Sequence, residues 1–529
     1  MAKRRRAPLP RPAAPEPDSR KAEWLVVVTV ACVSWIVFLP ALRGGFLSWD
    51  DQANLISNRA WRGIGWTQLG WIFTNFHMGH WIPVTWLSFD LDYLIWGMKP
   101  QGYHLTNVLF HSANAGLVCL VGARLLEAGG VRGAARLAGG AAAALVFALH
   151  PLRVESVAWV TERRDVLSTF FFLLALLAYL RAAKQEPAWR SRSYWLALGS
   201  FALALGSKSI TVSLPVILLI LDIYPLRRWQ GAWRARLAEK VPFVVLSVLT
   251  GVVAMLAVRA GGSTSTLAEL GVAQRLAIAA YSIVFYLGKT LVPVGLSPLY
   301  ELPLNLGPMK LVYLLSAAGV IAITAVAIAM RRRMPWLLAV WASYLVMVLP
   351  VTGLVQNGPQ IAADRYTYLP CVPFAIVGGL AIAFLSRWAW ALVAPAVALA
   401  ALAVLTVLQI GTWRDTEALW THALAVSPSA IAYSSMGVVL DEQGKARNAV
   451  AHFEEALRIN PRLAHAQNNW GIALARQGKW PEALPHYEEA LRLNPGYTEA
   501  RLNLAVALER LGRSAEAQQH IARARAAKP

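Results

Sequence analysis

Long uncharged runs separated by short charged segments dominate the first 410 residues of the chain. The first run, 24–42, has 19 residues, which is enough for a helix to cross the hydrocarbon core of a bilayer. The runs predict twelve candidate membrane helices, several of them short, near 24–42, 104–122, 137–149, 166–180, 194–207, 209–223, 241–258, 276–292, 310–330, 335–350, 368–386 and 388–410. This pattern predicts an all-α, polytopic membrane domain.

The charges between these runs predict the orientation of the domain. Basic residues gather in loops such as 331–333, as expected of cytoplasmic loops, whereas 44–103, 150–165 and 351–366 are charge-balanced or slightly acidic. Placing the N-terminus and 331–333 on the same side requires an even number of crossings, yet nine runs lie between them. We therefore predict that 276–292 does not cross, which leaves about eleven crossings and places the C-terminus on the exoplasmic side.

A repeat of period 34 follows the last apolar run. Small residues and proline recur in five series, which are Gly437, Gly471 and Ala505; Gly444, Gly478 and Gly512; Ala449, Ala483 and Ala517; Ala456, Ala490 and Ala524; and Pro461, Pro495 and Pro529. Small residues let paired helices approach closely and proline ends each unit, so the series predict tetratricopeptide repeats. We predict an α-solenoid of about three repeats plus a degenerate cap over 412–529.

Composition agrees with this division of the chain. The sequence is 57% hydrophobic and only 15% charged, which excludes an ordinary soluble protein. The net charge of +21 lies mainly in loops between apolar runs, so no nucleic-acid partner is predicted. The proline-rich basic segment 1–21 predicts a disordered cytoplasmic tail before a membrane domain over 22–411. The three cysteines, Cys32, Cys119 and Cys371, show no pairing pattern and predict packing residues.

The first exoplasmic loop, 44–103, combines seven tryptophans with an adjacent acidic pair, Asp50 and Asp51. Tryptophan favours the membrane interface, so we expect this loop to lie on the bilayer surface and to cover a lipid-borne substrate. The alternative is an aromatic belt that only anchors helix ends. The acidic pair marks either a helix exit or a site just above the membrane.

Charged residues also occur in the other exoplasmic segments. One apolar run is preceded by Glu155, Arg163 and Asp165, and the simpler interpretation of these charges is a solvated helix start. Arg365 precedes another apolar run, and there the simpler interpretation is helix capping. Lys208 interrupts two apolar runs on the exoplasmic side, which requires either an anionic partner such as phosphate or snorkelling to the interface. Carboxylates that take a proton and cations that hold a departing phosphate suit group transfer from a phospholipid-linked donor.

Five motifs in a fixed order make the sequence recognisable. They are "FLSWDDQANLISN" (46–58), "GYHLTNVLFH" (102–111), "HPLRVESVAWVTERRDVL" (150–167), "SKSITVSLPVILLILDIYPLRR" (207–228) and "ADRYTYLP" (363–370), and repeats follow them. The chain resembles the transmembrane and tetratricopeptide repeat-containing O-mannosyltransferase family and its bacterial relatives. Such proteins are similar to clan C glycosyltransferases, multi-pass enzymes that use polyprenyl-phosphate-linked sugars on the exoplasmic face.

The resemblance implies roles for particular residues. Asp50 and Asp51 match the acidic pair that activates the acceptor in the family. The donor phosphate and sugar are assigned to Glu155, Arg163, Asp165, Lys208 and Arg365, and the acceptor- or lipid-facing loop to Trp49, His80, Trp81 and His104.

Two functions remain open from the sequence. The first is a membrane glycosyltransferase of the bacterial inner membrane. Its partners would be a polyprenyl-phosphate-linked sugar, membrane lipid, and a protein acceptor or partner bound through the periplasmic repeats. The second is a non-catalytic scaffold whose repeats organise an envelope complex. No cofactor is predicted, and "WDD" without neighbouring histidines or further acidic residues is a weak site for a divalent metal.

Overall fold

The computed structural model describes residues 17–261, 266–267, 269–356 and 358–526. The helices of the first part are α1 (Pro17–Phe38), α2 (Trp66–Thr74), α3 (Pro83–Trp96), α4 (Pro100–Ala128), α5 (Gly133–Ala148), α6 (Val154–Ala158), α7 (Arg163–Ala182), α8 (Arg192–Ser207), α9 (Leu214–Ile223), α10 (Trp233–Gly261), α11 (Val272–Leu291), α12 (Leu311–Ala329), α13 (Pro335–Val348), α14 (Val372–Leu385) and α15 (Val393–Thr412). The second part contains α16 (Thr416–Val426), α17 (Ala430–Glu442), α18 (Ala446–Ile459), α19 (Ala464–Arg476), α20 (Trp480–Leu493), α21 (Thr498–Arg510) and α22 (Ser514–Ala526). The predicted all-α class is confirmed.

One short antiparallel ribbon, β1 (Tyr300–Glu301) with β2 (Gln360–Ala362), joins two segments that are distant in sequence, and Tyr300 lies opposite Ala362. The sequence did not predict this ribbon. Of the predicted disordered tail, 1–16 lies outside the described residues, whereas 17–21 belongs to α1.

The chain is a multi-pass membrane protein. Six helical spans among the described residues are long and apolar enough to cross a membrane, namely Arg20–Arg43, Pro100–Ala128, Val160–Ala182, Trp233–Gly261, Leu311–Ala329 and Ala389–Thr412. A bent pair, Gly133–Ala148 with Pro151–Ala158, would make a seventh, and three further apolar helices are shorter. The predicted count of eleven crossings stays a prediction, as does the non-crossing assignment of 276–292, which corresponds to α11.

The interior of the membrane part is built by α4, α5 and α7. α4 packs against α1, α5 and α7, and α14 packs against α5. A side chain at Gly140 on α5 would place its Cβ 2.6 Å from the carbonyl oxygen of Cys119 on α4, so only glycine permits this approach. The tight packing fixes these helices relative to one another.

The loop 44–103 is folded around an aromatic core of its own. Trp61 and Trp86 are buried there, with their ring centroids 6.0 Å apart. Trp66 on α2 is 89% exposed and Phe73 is 50% exposed. A short helix that presents large aromatic side chains outward suits the bilayer surface, and the interfacial placement of the loop stays a prediction.

The repeat part consists of paired helices, as the period of 34 predicted. A Cβ at Gly437 on α17 would lie 2.6 Å from the ring of Phe453, and one at Gly471 on α19 would lie 2.6 Å from the ring of Tyr487. The repeated glycine therefore exists because the partner helix places an aromatic ring against it. The domain boundary near residue 412 stays a prediction.

Candidate functional site

Three cationic side chains from three separate segments converge on one buried carboxylate, that of Glu162. Arg164, in the first turn of α7, donates from Nη2 to Oε1 over 2.5 Å and from Nε to Oε2 over 3.1 Å. Lys208, which follows α8, donates from Nζ to Oε2 over 3.1 Å, and the Nε of Arg365 lies 3.2 Å from Oε1. We call Arg164, Lys208 and Arg365 the cation cluster.

The cation cluster keeps donors that no described residue uses. Arg164 has no described acceptor for Nη1, and Arg365 has none for Nη2. The Nζ of Lys208 contacts Glu162 and, over 2.7 Å, Asp165, which leaves its third N–H. The side chains of Arg164, Lys208 and Arg365 are only 10%, 14% and 10% exposed, and charge-assisted donors of this kind suit an anion.

Asp50 lies beside this cluster without a hydrogen-bond donor of its own among the described residues. It opens the short helical turn that continues as a π-helical turn at Gln52–Ile56, and it is partly buried. Burial raises the pKa of Asp50 above its ordinary value, although Arg164 and Arg365 nearby oppose the change. The effect of burial on the pKa of Asp50 is larger than that of the two arginines.

Asp51 points the other way and is completely buried. Its carboxylate accepts hydrogen bonds from the backbone N–H of Leu47 over 3.0 Å, from the backbone N–H of Thr161 over 2.9 Å and from the Thr161 hydroxyl over 2.5 Å. Burial raises its pKa to about 6, although these three donors lower it. Asp51 therefore ties the first loop to the segment that carries Glu162, whereas Asp50 has no hydrogen bond to the described residues.

His80 faces the same cluster from the segment before α3. Burial lowers the pKa of His80 to about 3, and the charges of Arg164 and Lys208 lower it further, so the imidazole is neutral at physiological pH. A neutral ring beside three cations can accept or donate one hydrogen bond without adding charge.

Glu155 and Asp165 each pair with one member of the cation cluster, Arg365 and Lys208 respectively. One carboxylate oxygen of Glu155 pairs with Nη1 of Arg365, and the other accepts from the Arg365 backbone N–H over 2.7 Å. Asp165 pairs with Lys208 and accepts a hydrogen bond from Ser156 over 3.1 Å. Both acids are buried, so the solvated helix start that the sequence suggested does not describe them.

The ribbon supports the segment that carries Arg365. The hydroxyl of Tyr300 on β1 donates to Asp364, with distances of 3.2 and 3.3 Å to the two carboxylate oxygens. Asp364 begins a 3-10 turn, Asp364–Thr367, that includes Arg365. The pairing of two segments that are distant in sequence thereby fixes one member of the cation cluster.

Arg163 is not part of this cluster. Its guanidinium is completely buried, pairs with Asp92 over 2.5 Å and donates to Asn107 over 2.8 Å and to the carbonyl oxygen of Tyr103 over 2.7 Å. It also donates to the carbonyl oxygen of Ser88. All three of its nitrogens are occupied by protein groups, and its neighbour Arg164 lies in the cation cluster instead.

The residues expected to face acceptor or lipid have different surroundings. Trp81 is partly exposed and donates to the carbonyl oxygen of Phe73 over 2.9 Å. His104 is 1% exposed and packs under Gly45, so it faces neither lipid nor solvent. The ring of Trp49 stacks on the ring of Trp159, with centroids 4.7 Å apart.

The residues that sequence reasoning missed are Glu162 and Arg164. Both stand in the recognised "TERRD" stretch, but the chain passes through the 3-10 turn Val160–Glu162 before α7 begins. Successive helical residues point about 100° apart, so the phase of α7 decides whether Arg163 or Arg164 reaches the site. No group of three or more His, Cys, Asp or Glu side chains in the described ranges is arranged to hold a metal ion.

The motif 207–228 begins at the cation cluster with Lys208, and its end has a structural role away from that cluster. Asp222, at the end of α9, pairs with Lys240 on α10 over 2.5 Å and with Arg228 over 2.9 Å. These side chains are nearly completely buried. They join α9 to α10 and do not contact the cation cluster.

Comparisons with known proteins support the resemblance. The chain is 34% identical over 199 residues to protein O-mannosyl-transferase Tmtc1 of Drosophila melanogaster, which covers 35% of this chain and 21% of that protein. It is 30% identical over 218 residues to protein O-mannosyl-transferase TMTC4 of Homo sapiens, covering 37% and 29%. Identity to TMTC1 of Homo sapiens is 24% over 510 residues, covering 83% and 56%. The chain thus matches between about a fifth and somewhat over half of the length of these relatives.

Family profiles described as tetratricopeptide repeat match residues 430–463 and 474–529, which confirms the predicted repeats. Two solved membrane glycosyltransferases align loosely. ArnT from Cupriavidus metallidurans, solved with undecaprenyl phosphate bound, gives a TM-score of 0.36 at 16% identity over 93% of this chain and 78% of that chain. Arabinofuranosyltransferase AftD from Mycobacteria gives 0.34 at 17% identity over 79% and 28%. Scores of this size carry no argument about this site.

Proposed function

We propose that this chain is a membrane glycosyltransferase that moves a sugar from a polyprenyl-phosphate-linked donor to a hydroxyl of a protein or other envelope acceptor on the exoplasmic face. The observation that carries the proposal is a partly buried carboxylate, Asp50, that has no hydrogen bond to the described residues and feels the charges of Arg164 and Arg365. Each of the three cations of the cluster keeps a donor that no described residue uses. The names of the relatives, which are protein O-mannosyl-transferases, favour the same reaction class.

The reaction follows from these positions. The acceptor hydroxyl attacks the anomeric carbon, Asp50 takes the hydroxyl proton, and the bond between the anomeric carbon and the phosphate oxygen breaks. The departing polyprenyl phosphate keeps the bonding electrons, and Arg164, Lys208 and Arg365 stabilise the charge that develops on it. Attack from the face opposite the phosphate inverts the anomeric centre. Asp51 orients Asp50 by fixing the turn that both share.

Sugar transfer in a defined membrane tests the proposal. The purified chain in nanodiscs should release polyprenyl phosphate from a polyprenyl-phosphate mannose donor, slowly with water and faster with acceptor peptides from the envelope. Several polyprenyl-phosphate sugars should be compared, with a chain carrying both Asp50→Asn and Arg365→Lys as the matched control. Absence of release from every donor would support the scaffold function instead.

The acid limb of the pH profile is expected to report Asp50. A base must be ionised to take a proton, and because the pKa of Asp50 is raised, transfer should fall with decreasing pH at a midpoint above about 3.9, the ordinary aspartate value. Initial rates measured across the acidic range give the midpoint. The residual activity of Asp50→Asn should lack this limb. A limb that persists in Asp50→Asn would belong to another acid, such as Asp51 with its pKa of about 6.

The repeats are expected on the exoplasmic, periplasmic side of a bacterial inner membrane. Alkaline phosphatase fused after Pro529 should be active because it folds only outside the cytoplasm, while a fluorescent reporter there should be dark. The reverse should hold for fusions after Arg333, which ends the basic loop at 331–333. A bright reporter after Pro529 would contradict the proposed side of the membrane.

A further inference from the structure

The segment that leads to Asp50 depends on residues that follow the last membrane helix. Residues 44–47 have no regular secondary structure. The backbone N–H of Gly45 donates to the carbonyl oxygen of Arg414 over 3.0 Å, and that of Ser48 donates to the hydroxyl of Thr416 over 3.0 Å. The hydrogen bonds that order this segment therefore come partly from the start of the repeat part.

Four tryptophans strengthen the same connection. Trp49, next to Asp50, lies between Trp159, with ring centroids 4.7 Å apart and planes at 17°, and Trp420 on α16, with centroids 5.1 Å apart and planes at 51°. Trp159 also stacks on Trp413 at 5.6 Å. Trp159, Trp413 and Trp420 are each at most 2% exposed. We call these four residues the tryptophan cluster.

The tryptophan cluster also reaches the cation cluster. The guanidinium carbon of Arg365 lies 5.5 Å from the ring centroid of Trp159, which is within the range of a cation–π contact. One aromatic stack thus runs from α16 through the residue before Asp50 to a cation of the site. Large rings with only two rotatable bonds lose little conformational entropy when they are packed. A close-packed stack of such rings therefore moves as a unit, so a shift of one ring displaces its neighbours.

The repeat part contacts the other side of the site as well. The Nε2 of His422 on α16 lies 2.8 Å from the carbonyl oxygen of Leu296, and Glu301 on β1 accepts a hydrogen bond from the backbone N–H of Ile431 over 3.2 Å. β1 also carries Tyr300, which holds Asp364 beside Arg365. α16 and the start of α17 therefore contact both segments that place catalytic groups.

We infer that Trp420 is a positioning residue for sugar transfer, through which the first helix of the repeat part sets Asp50 relative to the cation cluster. This inference rests on the proposed function. Removing the Trp420 ring should free Trp49 and let Asp50 move, whereas the cations would keep their own hydrogen-bond partners. The rate of the transfer step should therefore fall, whereas the affinity for the donor should not change.

Trp420→Leu tests this role. We expect kcat for transfer to fall about 10- to 100-fold, since a displacement of about 1 Å can cost this much, while the KM for the polyprenyl-phosphate mannose donor stays within about twofold. Trp420→Phe, which keeps a ring, should recover most of the rate. Hydrogen exchange of the 44–51 backbone should accelerate in Trp420→Leu. Thr416→Val, which only removes the hydrogen bond to Ser48, should give a smaller change of the same kind.

Trp480→Leu is the matched control, because Trp480 lies on α20 in a later repeat. It should leave kcat and the exchange of 44–51 unchanged. If wild-type transfer is normal and Trp420→Leu and Thr416→Val change neither kcat nor exchange, the positioning role is overturned. If exchange accelerates in Trp420→Leu but the wild-type chain transfers no sugar, the proposed function is overturned and the contact between the two parts is left as a structural one.

Discussion

Replacing Asp50 by asparagine is expected to lower the rate of sugar transfer about 10²- to 10⁴-fold, the usual loss when a positioned general base is removed. Asparagine keeps the size of the side chain and cannot take a proton. No described residue donates a hydrogen bond to Asp50, so the substitution breaks no hydrogen bond among the described residues and the chain should fold and insert normally. Single-turnover transfer in nanodiscs, together with donor binding by the same preparation, measures the effect.

Asp51→Asn provides the matched comparison on the neighbouring residue. Because Asp51 accepts three hydrogen bonds on its two oxygens, an amide nitrogen would face at least one N–H or hydroxyl donor, with an expected cost of about 1–3 kcal/mol in the free energy of unfolding. Asp50→Asn should melt like the wild type, and Asp51→Asn at a lower temperature. Full transfer activity in both variants would exclude the acidic pair from the chemistry.

The sequence predicted most of the fold because its two periodicities are strong. Apolar runs of helical length located helices such as α4, α10 and α12, and the 34-residue series located the helix pairs of the repeats. Both patterns arise from packing that repeats along the chain, as at Gly437 and Gly471. The ribbon of β1 and β2 has only five residues in two distant segments and leaves no periodic signal.

The candidate site was predicted in part. Lys208 was expected to need an anion on the exoplasmic side, and the structure supplies Glu162 and Asp165. The choice between Arg163 and Arg164 could not be made, because it depends on the phase of a helix that follows irregular turns. His104 and Trp49 were placed at an exposed loop because composition describes a segment as a whole, whereas burial depends on distant partners such as α16.

Arg365→Lys is expected to weaken the use of the polyprenyl-phosphate donor by about one to two decades in kcat/KM while leaving the chain folded. Lysine keeps a positive charge opposite Glu155 and Glu162 but loses the planar fork, so the donor at Nη2, which no described residue uses, disappears. One charge-assisted hydrogen bond is worth about 1.5–3 kcal/mol, which gives this range. Arg365→Ala should lose more, and stability too, because it leaves two buried carboxylates with fewer partners.

Arg163→Lys separates donor binding from folding, because Arg163 and Arg365 differ in what surrounds them. Arg163 is completely buried and its nitrogens are held by Asp92, Asn107 and two backbone carbonyls, so lysine cannot replace its contacts. We expect Arg163→Lys to lower the melting temperature and to leave the donor KM of the folded fraction unchanged, the reverse of Arg365→Lys. Donor titrations and thermal melts of both variants, prepared in the same nanodiscs, show which arginine binds the donor and which one stabilises the fold. A raised donor KM in Arg163→Lys with a normal value in Arg365→Lys would move the phosphate site to the opposite face of α7.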